Sequence, residues 1–155
     1  MRCTHATAAA LLLVSAGLAP ADAAQTETTG EFLLSIPALT VDPVIAHCAE
    51  NVPELKDELQ IERANFIAKL TEAGRPLMEK LSNDPAFTAP VDEKLRQDML
   101  NVNAHGLSMF KQQDPGPTCR RVLAKIQGAT VEELRKAVEG TYQGYLDTAK
   151  AKKPE

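Results

Sequence analysis

Apolar residues in this chain recur at intervals of three, four and seven, the spacing that gathers them on one face of an α-helix. The longest run is Leu55, Leu59, Phe66, Leu70, Ala73, Leu77 and Leu81, with Asp57, Glu58, Lys69, Glu72 and Glu79 on the other side. It predicts a helix from Glu54 to Leu81, stopped by Ser82-Asn83-Asp84-Pro85. Gly74-Arg75-Pro76 falls inside it. Proline lacks a backbone donor and crowds the carbonyl four residues back, so a kink or break is expected there.

The same reasoning places the other elements. Asp42-Pro43 offers an N-cap followed by proline at the first helical position, and Val41, Ile45 and Cys48 then form a short buried stripe ending near Pro53. Pro90-Val91-Asp92-Glu93 opens a helix with acids in its first turn, where the helix dipole favours them. Its apolar residues form two rows, Leu95, Met99, Val102, Gly106 and Met109 beside Leu100, Ala104 and Leu107. Asp114-Pro115-Gly116-Pro117 breaks the chain. A helix with Cys119, Val122, Leu123 and Ile126 on one face follows and ends at Gly128. Thr130-Val131-Glu132-Glu133 has the capping-box pattern, and Val131, Leu134, Val138, Tyr142, Tyr145 and Ala149 carry a last helix to about Lys150. No segment alternates apolar and polar residues between hairpin turns, and no repeat recurs. The expected fold is all-α, a compact bundle of about four to five helices.

The N-terminal part reads differently. Arg2 and His5 precede an apolar run from Ala8 to Ala19, Pro20 breaks it, and Ala21-Asp22-Ala23 provides small residues before Ala24. This is the pattern of a secretory signal over residues 1–24, cleaved near Ala23 or Ala24. At about 12 residues, against roughly 20 needed to cross a bilayer, the run is too short for an anchor, and no later segment is expected to span a membrane. Residues 25–40 then pass from polar Gln25–Glu31 to apolar Phe32–Leu39, an arm expected to lie across the domain as an extended strap. A single helical domain is expected over residues 41–150 and a disordered tail over 151–155.

Composition narrows the partners. The 155 residues suit one domain, and a net charge of −4 excludes chain-wide attraction to nucleic acid or an anionic membrane. Loss of Arg2 and Asp22 with the signal leaves that charge unchanged. Of the three cysteines, Cys3 leaves as well. Cys48 and Cys119 remain in a chain bound for an oxidising compartment, periplasmic or extracellular, and read as one disulfide.

Chemistry-bearing motifs are absent. No G-x-S-x-G, phosphate-binding glycine loop, H-E-x-x-H or C-x-x-C occurs, and neither a cofactor nor a metal is expected. His47 adjoins Cys48 and diverges from it on a helix, while Met109, four positions after His105, continues a core row. Arg63 stands out because the helical wheel sets it inside the apolar arc of Leu59, Phe66, Ile67 and Leu70. Arginine is rarely buried without a partner, so it either lines an interhelical anion site or pairs with an acid such as Asp98 or Glu139. Gly140 and Gly144 share one side of the last helix, and each costs about 1 kcal/mol relative to alanine in a helix interior. A close approach by the strap or by a partner would offset that cost. The functional expectation is an exported protein that binds a protein partner without catalysis, as an inhibitor, immunity factor or accessory subunit does. The alternative is a small-molecule or enzymatic site around Arg63.

Overall fold

The structure, a computed structural model, describes residues 27–151. The signal segment 1–24 and the tail after Ala151 lie outside the described residues. The order is α1 (Thr29–Asn51), a 3₁₀ turn (Pro53–Leu55), α2 (Lys56–Leu81), α3 (Pro85–Thr88), α4 (Glu93–Lys111), α5 (Pro115–Gly128) and α6 (Val131–Ala151). Among the described residues the sole β feature is an isolated bridge between Thr28 and Pro90. The all-α bundle is as expected, with α2 packed along α1, α5 and α6.

The strap is corrected. Residues 29–40 are not extended but form the first half of α1, which runs unbroken through Pro37 and Pro43 to Asn51. Each proline deletes one helical hydrogen bond and disfavours the helical turn before it, which is why the sequence suggested a start at Asp42. Three local and tertiary gains outweigh that cost. Thr28 and Glu31 form a complete capping box, with Glu31 N donating to Thr28 Oγ1 at 3.2 Å and Thr28 N donating to Glu31 Oε2 at 2.8 Å. Phe32, Leu33 and Ile36 bury their side chains ahead of Pro43, and Ile45 and Cys48 do so behind it. Thr29 N also donates to Ala89 O at 2.8 Å and Val91 N to Glu27 O at 3.1 Å, so the start of α1 is stitched to the α3–α4 connection. Arg96 of α4 completes this corner, pairing with Glu27 and lying 5.1 Å from the Phe32 ring centroid.

Joining the strap to the next helix makes α1 long and apolar enough to cross a membrane by length and composition, contrary to the expectation for any segment after the signal. In this fold it contributes Phe32, Leu33, Ile36 and Ile45 to the core, and its Cys48 is fully buried in a bridge to Cys119 of α5, with Cα atoms 5.4 Å apart. The expected disulfide is present, and such a bridge suits an oxidising compartment.

α2 is likewise continuous through Pro76. Pro76 and Glu72, whose carbonyl loses its helical donor, are both exposed, so water can satisfy that carbonyl. The inner face of α2 buries Leu59, Phe66, Leu70, Ala73 and Leu77 as the periodicity predicted. From the same helix, Lys69 Nζ donates to the carbonyls of Gln127 (3.2 Å) and Ala129 (2.9 Å), closing the C-terminal end of α5 where the dipole favours a cation.

Candidate functional site

Arg63 pairs with Asp42 at the surface between α1 and α2. Its Nε donates to Asp42 Oδ1 and its Nη2 to Asp42 Oδ2, both at 2.7 Å, and the two side chains stay 45% and 39% exposed. The bidentate bond and the Asp42 charge hold the guanidinium pKa above its ordinary value. Neither Asp98 nor Glu139 is the partner. Asp98 pairs with Lys94 on its own helix at 2.8 Å. Asp42 is available to Arg63 because α1 starts at Thr29, so the carboxylate expected to cap a helix lies mid-helix instead. Arg63 ties α1 to α2 at the surface, its guanidinium fork engaged by Asp42.

Gly140 and Gly144 meet no close approach. A Cβ built on either would find nothing within 4 Å, and both are exposed. Among the described residues no strap side chain reaches either position. Gly140 borders a hollow shared with Lys80, Asp84 and Tyr142. There the Tyr142 hydroxyl donates to Asp84 Oδ2 at 3.3 Å, and burial, then Asp84, pushes the phenol pKa above its usual value. Gly144 borders a second hollow with Leu33, Leu95 and Tyr145.

The sequence did not point to the groove between α1, α4 and α5. Val41 and Val44 from α1, Phe110 from α4, and Val122 and Ile126 from α5 line a volume of about 400 Å³. That lies within the usual range of ligand sites, about 300–1,000 Å³. Three constraints position it. The Cys48–Cys119 bridge pins α1 to α5 beside it. Asp114 caps α5, accepting from Gly116 N at 3.2 Å. The His47 ring stands edge-on to Phe110 with centroids 5.8 Å apart, while His47 Nδ1 accepts from Asn51 Nδ2 at 3.1 Å.

Arg121 and Lys125, four positions apart on α5, are exposed and also line the groove. Arg121 Nη2 donates to Thr118 Oγ1 at 3.3 Å. Among the described residues neither cation has a carboxylate within ion-pair distance, although Arg63, Lys94, Arg96, Arg120, Arg135 and Lys136 all do. The signal available in the sequence was Arg121, Val122 and Lys125 beside a bridging cysteine, which periodicity alone reads as a solvated edge.

α4 is the other departure. It has no fully buried residue. Leu95, Met99 and Phe110 half-bury against α1, while Val102 is 65% and Met109 52% exposed. Met109 is thus not the core residue expected. On a wheel of 100° per residue the apolar arc of α4 is wider than its contact with α1, so Val102, Gly106 and Met109 form one bare shoulder and Leu100 and Ala104 the other. Among the described residues no three metal-ligating side chains cluster. Neither a protein-family model, nor a curated protein, nor a solved structure matches this chain.

Proposed function

We propose that this is an exported protein that acts by non-catalytic binding to a protein partner, as an inhibitor, immunity factor or accessory subunit. Support for export comes from the signal pattern of residues 1–24 and the Cys48–Cys119 bridge. Support for partner binding comes from α4, whose Val102 and Met109 leave apolar surface that no other element among the described residues covers. Val102 and Met109 lie two turns apart on one side of α4, and exposed apolar patches rimmed by polar residues mark interaction sites.

The test uses the mature protein carrying a photocrosslinking residue at Gly106, exposed and between Val102 and Met109 on α4, and expressed in its own compartment. A single discrete protein adduct is expected, lost in Val102→Glu/Met109→Glu and kept in Gly140→Ala. Because both substituted residues are largely exposed, the glutamate variant should melt within about 2 °C of wild type, the shift of a surface change worth about 0.5 kcal/mol. Absence of any protein adduct at Gly106, or an adduct that survives the double substitution, overturns this reading.

A further inference from the structure

We infer that the α1/α4/α5 groove binds a single-chain amphipathic anion, a carboxylate carrying one hydrocarbon tail, and that Arg121 and Lys125 receive its head. This is independent of the protein-partner reading, since it stands on α5 and the inner edge of α4 rather than on the α4 shoulder.

The argument is complementarity of charge and shape. The floor is hydrocarbon and one aromatic ring, from Val41, Val44, Phe110, Val122 and Ile126, with no carboxylate among the lining residues. An apolar tail laid there removes both surfaces from water, and each buried methylene raises affinity by up to about fourfold. At the rim, Arg121 and Lys125 point one helical turn apart on the same face of α5, the spacing at which two side chains reach one ligand group. Arginine offers a planar fork matched to a carboxylate, and lysine adds a mobile charge. Thr40, Gln113 and Thr118 add uncharged polar groups around the head. A cationic or neutral amphiphile would match the floor but not the rim.

Size selects the source of that chemistry. The volume of about 400 Å³ suits one chain rather than the paired tails of a bilayer lipid. The groove is also a cleft among three helices, not a flat face that could lie on a membrane. The occupant is accordingly a free monomer.

Calorimetric titration of the oxidised mature protein with sodium dodecanoate, below its micellar concentration, tests this. Dodecanol, dodecyltrimethylammonium and octanoate serve as comparison probes. One saturable site is expected for dodecanoate, weaker by about tenfold or more for the neutral and cationic heads and weaker again for octanoate. Arg121→Glu/Lys125→Glu should lose tenfold or more, whereas Arg120→Glu/Lys56→Glu, which changes the net charge equally but outside the groove, should bind as wild type. Circular dichroism checks the fold of each variant; should the double glutamate variant not fold, Arg121→Gln and Lys125→Gln carry the same comparison. No saturable binding, equal binding of all three heads, or an equal loss in the control variant overturns the inference. So does co-sedimentation with phosphatidylglycerol vesicles at the affinity seen for dodecanoate. Val102→Glu/Met109→Glu should bind dodecanoate normally, so failure of the partner reading and failure of this one give different results.

Discussion

Adding one methyl group at Gly30 should destabilise the protein, whereas the same change at Gly140 should stabilise it. A Cβ on Gly30 would lie 2.3 Å from Phe87 Cε1, 2.4 Å from Cζ and 2.5 Å from Cδ1, where ordinary contact is 3.4–4 Å. The Phe87 ring must therefore move by about 1 Å, and it has little freedom to do so. It is 5% exposed and stands edge-on to Tyr142 at 81° with centroids 5.5 Å apart. Its short helix α3 is capped by Asp84, which accepts from Ala86 N at 2.8 Å. Overpacking of this kind costs about 1–3 kcal/mol. The better helix propensity of alanine returns at most about 0.5–1 kcal/mol, and less in the first turn. The net loss of about 1–2 kcal/mol corresponds to a fall of about 4–8 °C in the unfolding midpoint. At Gly140 nothing lies within 4 Å, so only the propensity term acts, and the midpoint should rise by about 2–4 °C. Thermal unfolding of the oxidised protein by circular dichroism measures both. The reasoning also requires coupling: with Phe87→Ala in the background, most of the Gly30→Ala penalty should vanish. A neutral or stabilising Gly30→Ala, or a penalty unchanged without the Phe87 ring, would refute it.

The remaining predictions concern the staple, the caps and the buried phenol. Cys48→Ala/Cys119→Ala removes a bridge between residues 71 positions apart, and loss of that loop constraint should cost about 4 kcal/mol in denaturant unfolding. Glu31 and Glu133 are held below the usual carboxylate pKa, chiefly because the backbone N–H of Thr28 and of Thr130 donates to each. A depressed folded-state pKa gives stability that is present above the unfolded value and lost as pH falls through the folded one. Amide protection factors, corrected for the intrinsic slowing of exchange in acid, should accordingly fall in the first turns of α1 and α6 on acidification, and Glu133→Gln should remove the dependence in α6. Tyr142 has the opposite sense: burial raises its pKa, so the unfolded chain ionises first and stability should fall as pH climbs past about 10. Tyr142→Phe should remove that alkaline loss in a pH series of melting curves.

Local chemistry was written plainly along the chain. Helical spacing identified the faces of α2, α5 and α6 because residues three and four apart meet on one side whatever else surrounds them. The Asp92 segment and the Thr130 capping box marked helix starts, whereas Asp84 and Asp114, read as a stop and a breaker, also cap helices, α3 and α5, by accepting from a backbone N–H two residues on. Cys48 and Cys119 were read as one pair, and that pairing is present. What depended on tertiary packing was not legible. Asp42-Pro43 looked like a helix start because the cost of proline inside a helix is local, while the burial that outweighs it comes from neighbours distant in sequence. Arg63 sat inside an apolar arc on the wheel, yet α1 does not cover that part of α2, so the guanidinium meets Asp42 at the surface. Periodicity showed that α4 has an apolar stripe but not that its neighbours are too few to cover it. The groove at Arg121 and Lys125 belongs to no helix singly. A one-dimensional pattern records which face of a helix is apolar, and only the arrangement of six helices decides which parts of those faces remain open to a ligand or a partner.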